Sequence, residues 1–258
     1  MALHRAFAAP VDESPHDVGP ADDGAERFVR DAAIGDGWLH PSASNYTFIV
    51  ELSLGSDRGF GVYKPETGEA PLWDFPNGTL HRRECAAYEL SRMLRWALVP
   101  PTVLREGEAG VGSLQLFVPS QEGSNYFNLR DDHPDDVRRM AVFDALANNA
   151  DRKGGHCFVA RSGSVWGVDH GLTFHVHPKL RTVIWEFAGQ EVPEELLRDV
   201  RCLLETLSTE GSDAVRDIGG LLSPDEMEAL RQRTRALVER PVLPAGPHSR
   251  RDLPWPRL

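Results

Sequence analysis

Two short segments near the middle of the chain carry residues that could do chemistry together: Asn149-Ala150-Asp151-Arg152-Lys153-Gly154-Gly155-His156 and Val168-Asp169-His170-Gly171. Between them, Cys157–Val159 and Ser164–Gly167 read as a hairpin turning at Arg161-Ser162-Gly163. A hairpin brings its two ends together, so Asp151, His156 and Asp169 are expected as neighbours. Phosphoryl transfer needs that set: one carboxylate to orient an acceptor hydroxyl, one to hold a divalent cation, and a second cation ligand just after the first carboxylate.

A cation for the phosphates stands upstream. Gly59-Phe60-Gly61-Val62-Tyr63-Lys64-Pro65 reads as a strand closed by proline, with Lys64 on the face opposite Tyr63 and Pro65. Leu80-His81-Arg82-Arg83-Glu84-Cys85-Ala86-Ala87-Tyr88-Glu89-Leu90 follows, with helical spacing of Cys85, Tyr88, Leu90, Met93, Leu94 and Ala97. A helix glutamate that holds a strand lysine aims an ammonium at nucleotide phosphates. Alone, Lys64 would be a surface lysine; beside Asp151 and Asp169 it completes a phosphate site.

These residues resemble a known family. Phe143-Asp144-Ala145-Leu146-Ala147-Asn148-Asn149-Ala150-Asp151-Arg152 is similar to the catalytic-loop signature of the phosphatidylinositol 3-/4-kinase-like proteins. More closely, the chain resembles an uncharacterised actinobacterial branch of that family. The resemblance rests on Ser44-Asn45-Tyr46-Thr47-Phe48, Tyr63-Lys64-Pro65, Arg83-Glu84-Cys85-Ala86-Ala87-Tyr88-Glu89, Gln115-Leu116-Phe117-Val118 and Trp185-Glu186-Phe187. It runs from about Leu39 to about Leu207 and leaves both ends out.

The resemblance implies an α+β, two-lobed protein-kinase-like fold, with a small antiparallel sheet and one helix in the N-lobe and a mainly helical C-lobe. It also implies ATP and Mg²⁺ or Mn²⁺ as cofactors. By the same token Lys64 contacts the nucleotide phosphates and Glu84 orients it. Ser44 and Asn45 lie over the phosphates, and Gln115, Phe117 and Val118 belong to a hinge offering backbone groups to adenine. Asp151 is the catalytic aspartate and Asp169 the principal metal ligand. Arg152 either pairs with the transferring phosphoryl group or forms a salt bridge back onto its loop, and the sequence leaves both open. Asp144 reads as a structural hydrogen-bond acceptor.

Three departures from the broader kinase pattern bear on catalysis. His156 stands where an asparagine normally helps hold the metal, and imidazole suits Mn²⁺ better than Mg²⁺. Ser42-Ala43-Ser44-Asn45 replaces a glycine-rich loop. His170 replaces the usual apolar residue after the metal aspartate. The expected function is therefore an ATP- and metal-dependent phosphotransferase acting on a small-molecule or inositol-type hydroxyl. The alternatives are a pseudokinase-like nucleotide-binding or protein-interaction module without catalysis, and AMP transfer.

Composition sets the outer limits. At 258 residues, 41% hydrophobic and 26% charged, the chain has room for one domain of two lobes. A net charge of −11 argues against a nucleic-acid surface and against stable docking on anionic lipid, since both recruit clustered Lys and Arg. No apolar run is long enough for a membrane span. Asp12, Glu13, Asp17, Asp22 and Asp23 sit where a signal peptide would need an apolar core, so a cytoplasmic location is expected. Cys85, Cys157 and Cys202 are scattered in apolar contexts and read as small buried residues. His175-Val176-His177 puts two imidazoles on one strand face, but without further ligands in view they read as exposed or hydrogen-bonded.

Along the chain, 1–24 reads as disordered, 25–118 as the N-lobe, 119–240 as the C-lobe and 241–258 as a Pro-rich tail. Within the N-lobe a short helix spans 25–35 and strands occupy 45–54, 59–65, 103–105 and 113–118. A helix runs from Thr79, as N-cap, to about Trp96, ended by Pro100-Pro101. The C-lobe has helices at 135–148, 194–207 and 224–238. The last opens with Ser223 as N-cap, Pro224 at its first position and Glu226 completing a capping box.

Overall fold

The computed structural model describes residues 23–40, 45–209, 211–247, 249 and 252–258. The disordered reading of 1–24 falls mainly outside these residues, as does Ser44.

Period-2 patterning builds the N-lobe. Strands β1 (Ala33–Leu39), β2 (Phe48–Leu54), β3 (Asp57–Pro65), β4 (Thr102–Gly107) and β5 (Gly110–Leu116) form one antiparallel sheet in the order β1-β2-β3-β5-β4. Val50, Leu52, Tyr63, Leu114 and Leu116 point to one face and pack on Ala25, Phe28 and Val29 of helix α1 (Asp23–Asp31). The opposite face carries Ile49, Val62, Lys64 and Gln115 toward the other lobe. The expected helix over 25–35 is thus shorter, and β1 takes up its end as an edge strand.

Helix α2 (Leu80–Leu94) lies against this sheet, and its apolar face, with Ala86, Leu90 and Leu94, joins the C-lobe core. Two expectations about its ends are corrected. Thr79 does not cap it: the Thr79 hydroxyl donates to the Pro76 carbonyl at 2.7 Å, while the Glu69 carboxylate accepts the His81 N–H at 2.8 Å. A carboxylate at a helix start answers both an orphan N–H and the positive end of the dipole. The helix stops at Arg95, in the left-handed region at φ 59°, before the two prolines.

In the C-lobe, α4 (Pro134–Ala147) buries Val137, Met140, Phe143, Asp144 and Leu146, and Asn148 at φ 51° ends it. A short helix α3 (Tyr126–Leu129) precedes it, and the segment 149–156 and the hairpin β6–β7 (Cys157–Val159, Val165–Gly167) follow. Helices α5 (Glu194–Ser208), α6 (Asp213–Gly219) and α7 (Pro224–Glu239) complete the lobe. The Ser223–Glu226 capping box forms, at 3.3 and 2.8 Å. Glu226 also pairs with the buried Arg83, whose other nitrogen donates to the Thr173 carbonyl at 2.5 Å, so α2 is pinned to the C-lobe.

The segment after α7 is not a free tail throughout. Val242 bridges to Glu191, Leu243 enters the core, Pro254 is buried, and the Arg257 carbonyl accepts the Gly154 N–H. Cys85 and Cys157 are buried as expected, whereas Cys202 is exposed on α5.

Candidate active site

A cleft of about 700 Å³ separates the sheet's inner face from the β6–β7 region, a volume in the range of small-molecule sites. Lys64, Glu84, Asp151, His156 and Asp169 all line it, with Asn45, Gln115, Phe117 and Val118.

Lys64 sits between two carboxylates. Its ammonium is 2.5 Å from Glu84 Oε1 and 2.7 Å from Asp169 Oδ1. Burial alone would depress the ammonium, but Asp169 and Glu84 together raise its pKa above the ordinary lysine value, so it carries charge at neutral pH. The same ammonium holds the Asp169 carboxyl well below the usual range. Glu84 is pushed up by burial and drawn back by Lys64, and its second oxygen accepts the His170 N–H at 2.8 Å. Glu84 therefore orients Lys64 and also fixes the turn in which Asp169 adopts φ 60°, a conformation aspartate tolerates.

Asp151 reaches the cleft beside Lys153, whose ammonium is 2.8 Å from Asp151 Oδ2. Burial pushes the Asp151 carboxyl up, and Lys153 opposes the shift. Arg152 points the other way and is corrected here. It is fully buried, and its guanidinium grips Asp144 at 2.8–3.2 Å while donating to the His156 and Val168 carbonyls and to His170 Nε2 at 2.7 Å. Every arm of the fork is used inside the lobe, so none is left for a phosphoryl group. Asp144, also bonded by Asn149, is the structural acceptor that the sequence indicated. His170 is a core histidine, edge-on to Phe143.

Asp169 and His156 meet. The half-exposed Asp169 carboxylate presents Oδ2 3.2 Å from His156 Nε2, and burial lowers the His156 pKa to about 4. A neutral imidazole and an ionised carboxylate facing one cleft fit a divalent cation that takes its remaining ligands from phosphate and water. His156 Nδ1 is buried and has no hydrogen-bond partner among the described residues.

At the far end of the cleft, the Phe117 N–H is used by the Phe60 carbonyl and the Leu116 N–H by that of Pro101. Pro101 has no N–H to return to the Leu116 carbonyl. The Gln115 side chain turns inward, donating to the Thr102 hydroxyl at 2.8 Å. Asn45 Oδ1 accepts the Ala70 N–H at 2.9 Å, tying the turn before β2 to the loop after β3. Away from the cleft, His175 donates to the Asp74 carbonyl and accepts the His177 N–H, so both its ring nitrogens are committed.

Three contributors were missed from sequence. Lys153 adjoins Asp151 and was within reach of the spacing argument. The buried Glu69–His81 pair, 2.8 Å between Oε1 and Nδ1, also lines the cleft and depends on a loop whose course no periodicity encodes. Pro256 and Leu258 line it too, from the end of the segment read as a tail.

The model of the phosphatidylinositol 3- and 4-kinase family matches residues 92–220. Protein Rv2133c of Mycobacterium tuberculosis is 42% identical over 250 residues, covering 83% of this chain and 88% of that protein. Among solved structures, that of the Helicobacter pylori proinflammatory kinase CtkA is similar with a TM-score of 0.49 at 11% identity, over 83% of this chain and 94% of the other.

Proposed function

The chain belongs to the phosphatidylinositol 3- and 4-kinase family, and from that premise we propose that it is an ATP- and Mg²⁺- or Mn²⁺-dependent phosphotransferase whose acceptor is a small-molecule or inositol-type hydroxyl. One observation carries the reading: Lys64 bridges Glu84 and Asp169 in the cleft where Asp169 also faces His156 and Asp151 stands nearby. Such chemistry works by positioning and charge stabilisation, which this arrangement supplies.

In this reading ATP is the donor and its adenine lies toward Leu116–Val118. Lys64 neutralises α- and β-phosphate charge. Asp169 and His156 would hold the metal, which when bound neutralises charge on the β- and γ-phosphates. Asp151 accepts the acceptor's proton as the new O–P bond forms and the bond to the β-phosphate oxygen breaks. Arg152 keeps the loop in shape through Asp144. Among the described residues no helix is long and apolar enough to cross a membrane. A cytoplasmic location, where ATP is available, belongs to the same reading.

A second reading, a nucleotide-binding or protein-interaction module without turnover, is favoured by one observation. Both working carboxylates are already paired with lysines, Asp151 with Lys153 and Asp169 with Lys64.

Thermal unfolding with ATP and Mg²⁺ or Mn²⁺ tests nucleotide use. A ligand at about 100 times its Kd adds about 2.7 kcal/mol to native stability. The phosphotransferase reading expects a metal-dependent shift that Asp169→Ala abolishes, followed by loss of γ-phosphate. A shift without turnover selects the second reading. No shift with either metal removes the nucleotide site.

A further inference from the structure

The segment Pro254–Leu258 ends against the catalytic loop. The Gly154 N–H donates to the Arg257 carbonyl at 2.7 Å, and Pro256 and Leu258 form part of the cleft wall with Asp151, Lys153, Gly155 and His156. Gly154 is shaped for this contact. A Cβ there would lie 2.6 Å from the Phe127 ring and 3.2 Å from the Arg257 carbonyl oxygen, and one on Gly155 would meet the Leu258 carbonyl carbon at 3.9 Å. The missing side chain of Gly154 thus lets the Phe127 ring and the Arg257 backbone approach the loop that carries Asp151, whereas Gly155 meets Leu258 at an ordinary van der Waals distance.

The contact is light. Pro254 is buried, but Trp255, Pro256, Arg257 and Leu258 are exposed, Trp255 to 88%. The last core anchor before it is Leu243. Few buried apolar groups mark a segment that opens at low free-energy cost, although its one backbone bond is made to the buried Gly154. A tethered segment needs little intrinsic affinity, because its effective concentration is high.

Resting on the phosphotransferase reading, we propose that Pro254–Leu258 is a displaceable strap that closes the acceptor side of the cleft and restrains turnover until it moves. A molecule seated against Asp151 is bounded by Pro256 and Leu258, so it must either displace the strap or wait for it to open. The strap has no Ser, Thr or Tyr to accept a phosphoryl group, so it can occupy the acceptor side without being consumed.

Two full-length variants test this. Pro254→Glu should expel the buried anchor. Gly155→Cys with Leu258→Cys, in a Cys202→Ser background, should lock the strap by a reversible disulfide; Cys157 is buried, with its thiol pushed up to about 11, and stays inert. The release variant should exchange the Gly154 amide about 10-fold faster than the parent. Its metal-dependent ATP hydrolysis should rise several-fold. The lock variant, once oxidised, should hydrolyse ATP about 10-fold more slowly than when reduced.

Unchanged Gly154 exchange, failure of the cross-link to form, equal activity of oxidised and reduced forms, or no gain of hydrolysis in the released form each overturns the strap. If Pro254→Glu does not fold, the lock variant decides alone. The kinase reading fails separately, through loss of any metal-dependent stabilisation of the parent by ATP.

Discussion

Arg152 and Asp144 form a bidentate ion pair with no solvent on either side, at 2.8 Å for Nη2–Oδ1 and 2.9 Å for Nε–Oδ2. The pair joins helix α4 to both halves of the site, because the same guanidinium holds the carbonyls of His156 and Val168. Removing one partner strands a buried charge, which costs about 3–5 kcal/mol. Asp144→Ala should therefore lower Tm by on the order of 10 °C, at about 2–4 °C per kcal/mol for a domain of this size. Calorimetry of Asp144→Ala and Arg152→Met checks it. A phosphoryl-contacting arginine would instead lose turnover with Tm intact.

Lys64 makes a second, distinguishable claim. Lys64→Met should abolish metal-dependent ATP turnover by orders of magnitude, as loss of a phosphate-neutralising charge does. It should also destabilise the fold, because Glu84 is left buried without its cation. Adding Glu84→Gln should restore part of that stability and none of the turnover. Urea unfolding of the two single variants and the double closes the cycle. Strict additivity of the stability changes would mean that the pair does not interact.

At the start of α2, Glu69 makes a claim about acid. Burial pushes its carboxyl up, but the bonds to the side chain and backbone of His81 prevail and hold it below the ordinary 4.5. A carboxyl depressed in the folded state contributes stability that is full above its unfolded pKa and is lost as pH falls through the folded one. The wild type should thus shed this part below about pH 4.5. Glu69→Ala should cost about 0.5–2 kcal/mol at pH 7, the range for a lost cap, and give a flatter acid limb. Unfolding midpoints between pH 3 and 7 would contradict this if the two curves ran parallel.

Much of this was legible because it is periodic or local. Alternation placed Lys64 opposite Tyr63, helical spacing put Glu84 on its helix, and the turn at Arg161-Ser162-Gly163 returned Asp169 to Asp151. The burial of Arg152 was not legible, since an arginine's direction depends on which partner lies within reach, and Asp144 is supplied by a different element. Thr79 had the chemistry of a cap, but its hydroxyl oxygen accepts from the Arg83 side chain at 3.3 Å in place of a first-turn backbone N–H. The last residues looked like a tail because they lack apolar periodicity. One backbone bond to Gly154 and one buried proline leave no periodic trace.

Lys153 gives the sharpest test of Asp151 as the base. Burial raises the Asp151 carboxyl and the Lys153 ammonium pulls it down. A base must be ionised to take a proton, so the acid limb of the kcat–pH profile follows this group. In Lys153→Met the largest opposing charge is gone, burial and the Asp169 charge outweigh the remaining pull of Arg181, and the Asp151 pKa rises further. The acid limb should move to higher pH while the plateau rate at high pH is largely kept. A limb that stays in place would assign the proton to another group. A profile that vanishes in Asp151→Asn but shifts in Lys153→Met would place the proton on Asp151.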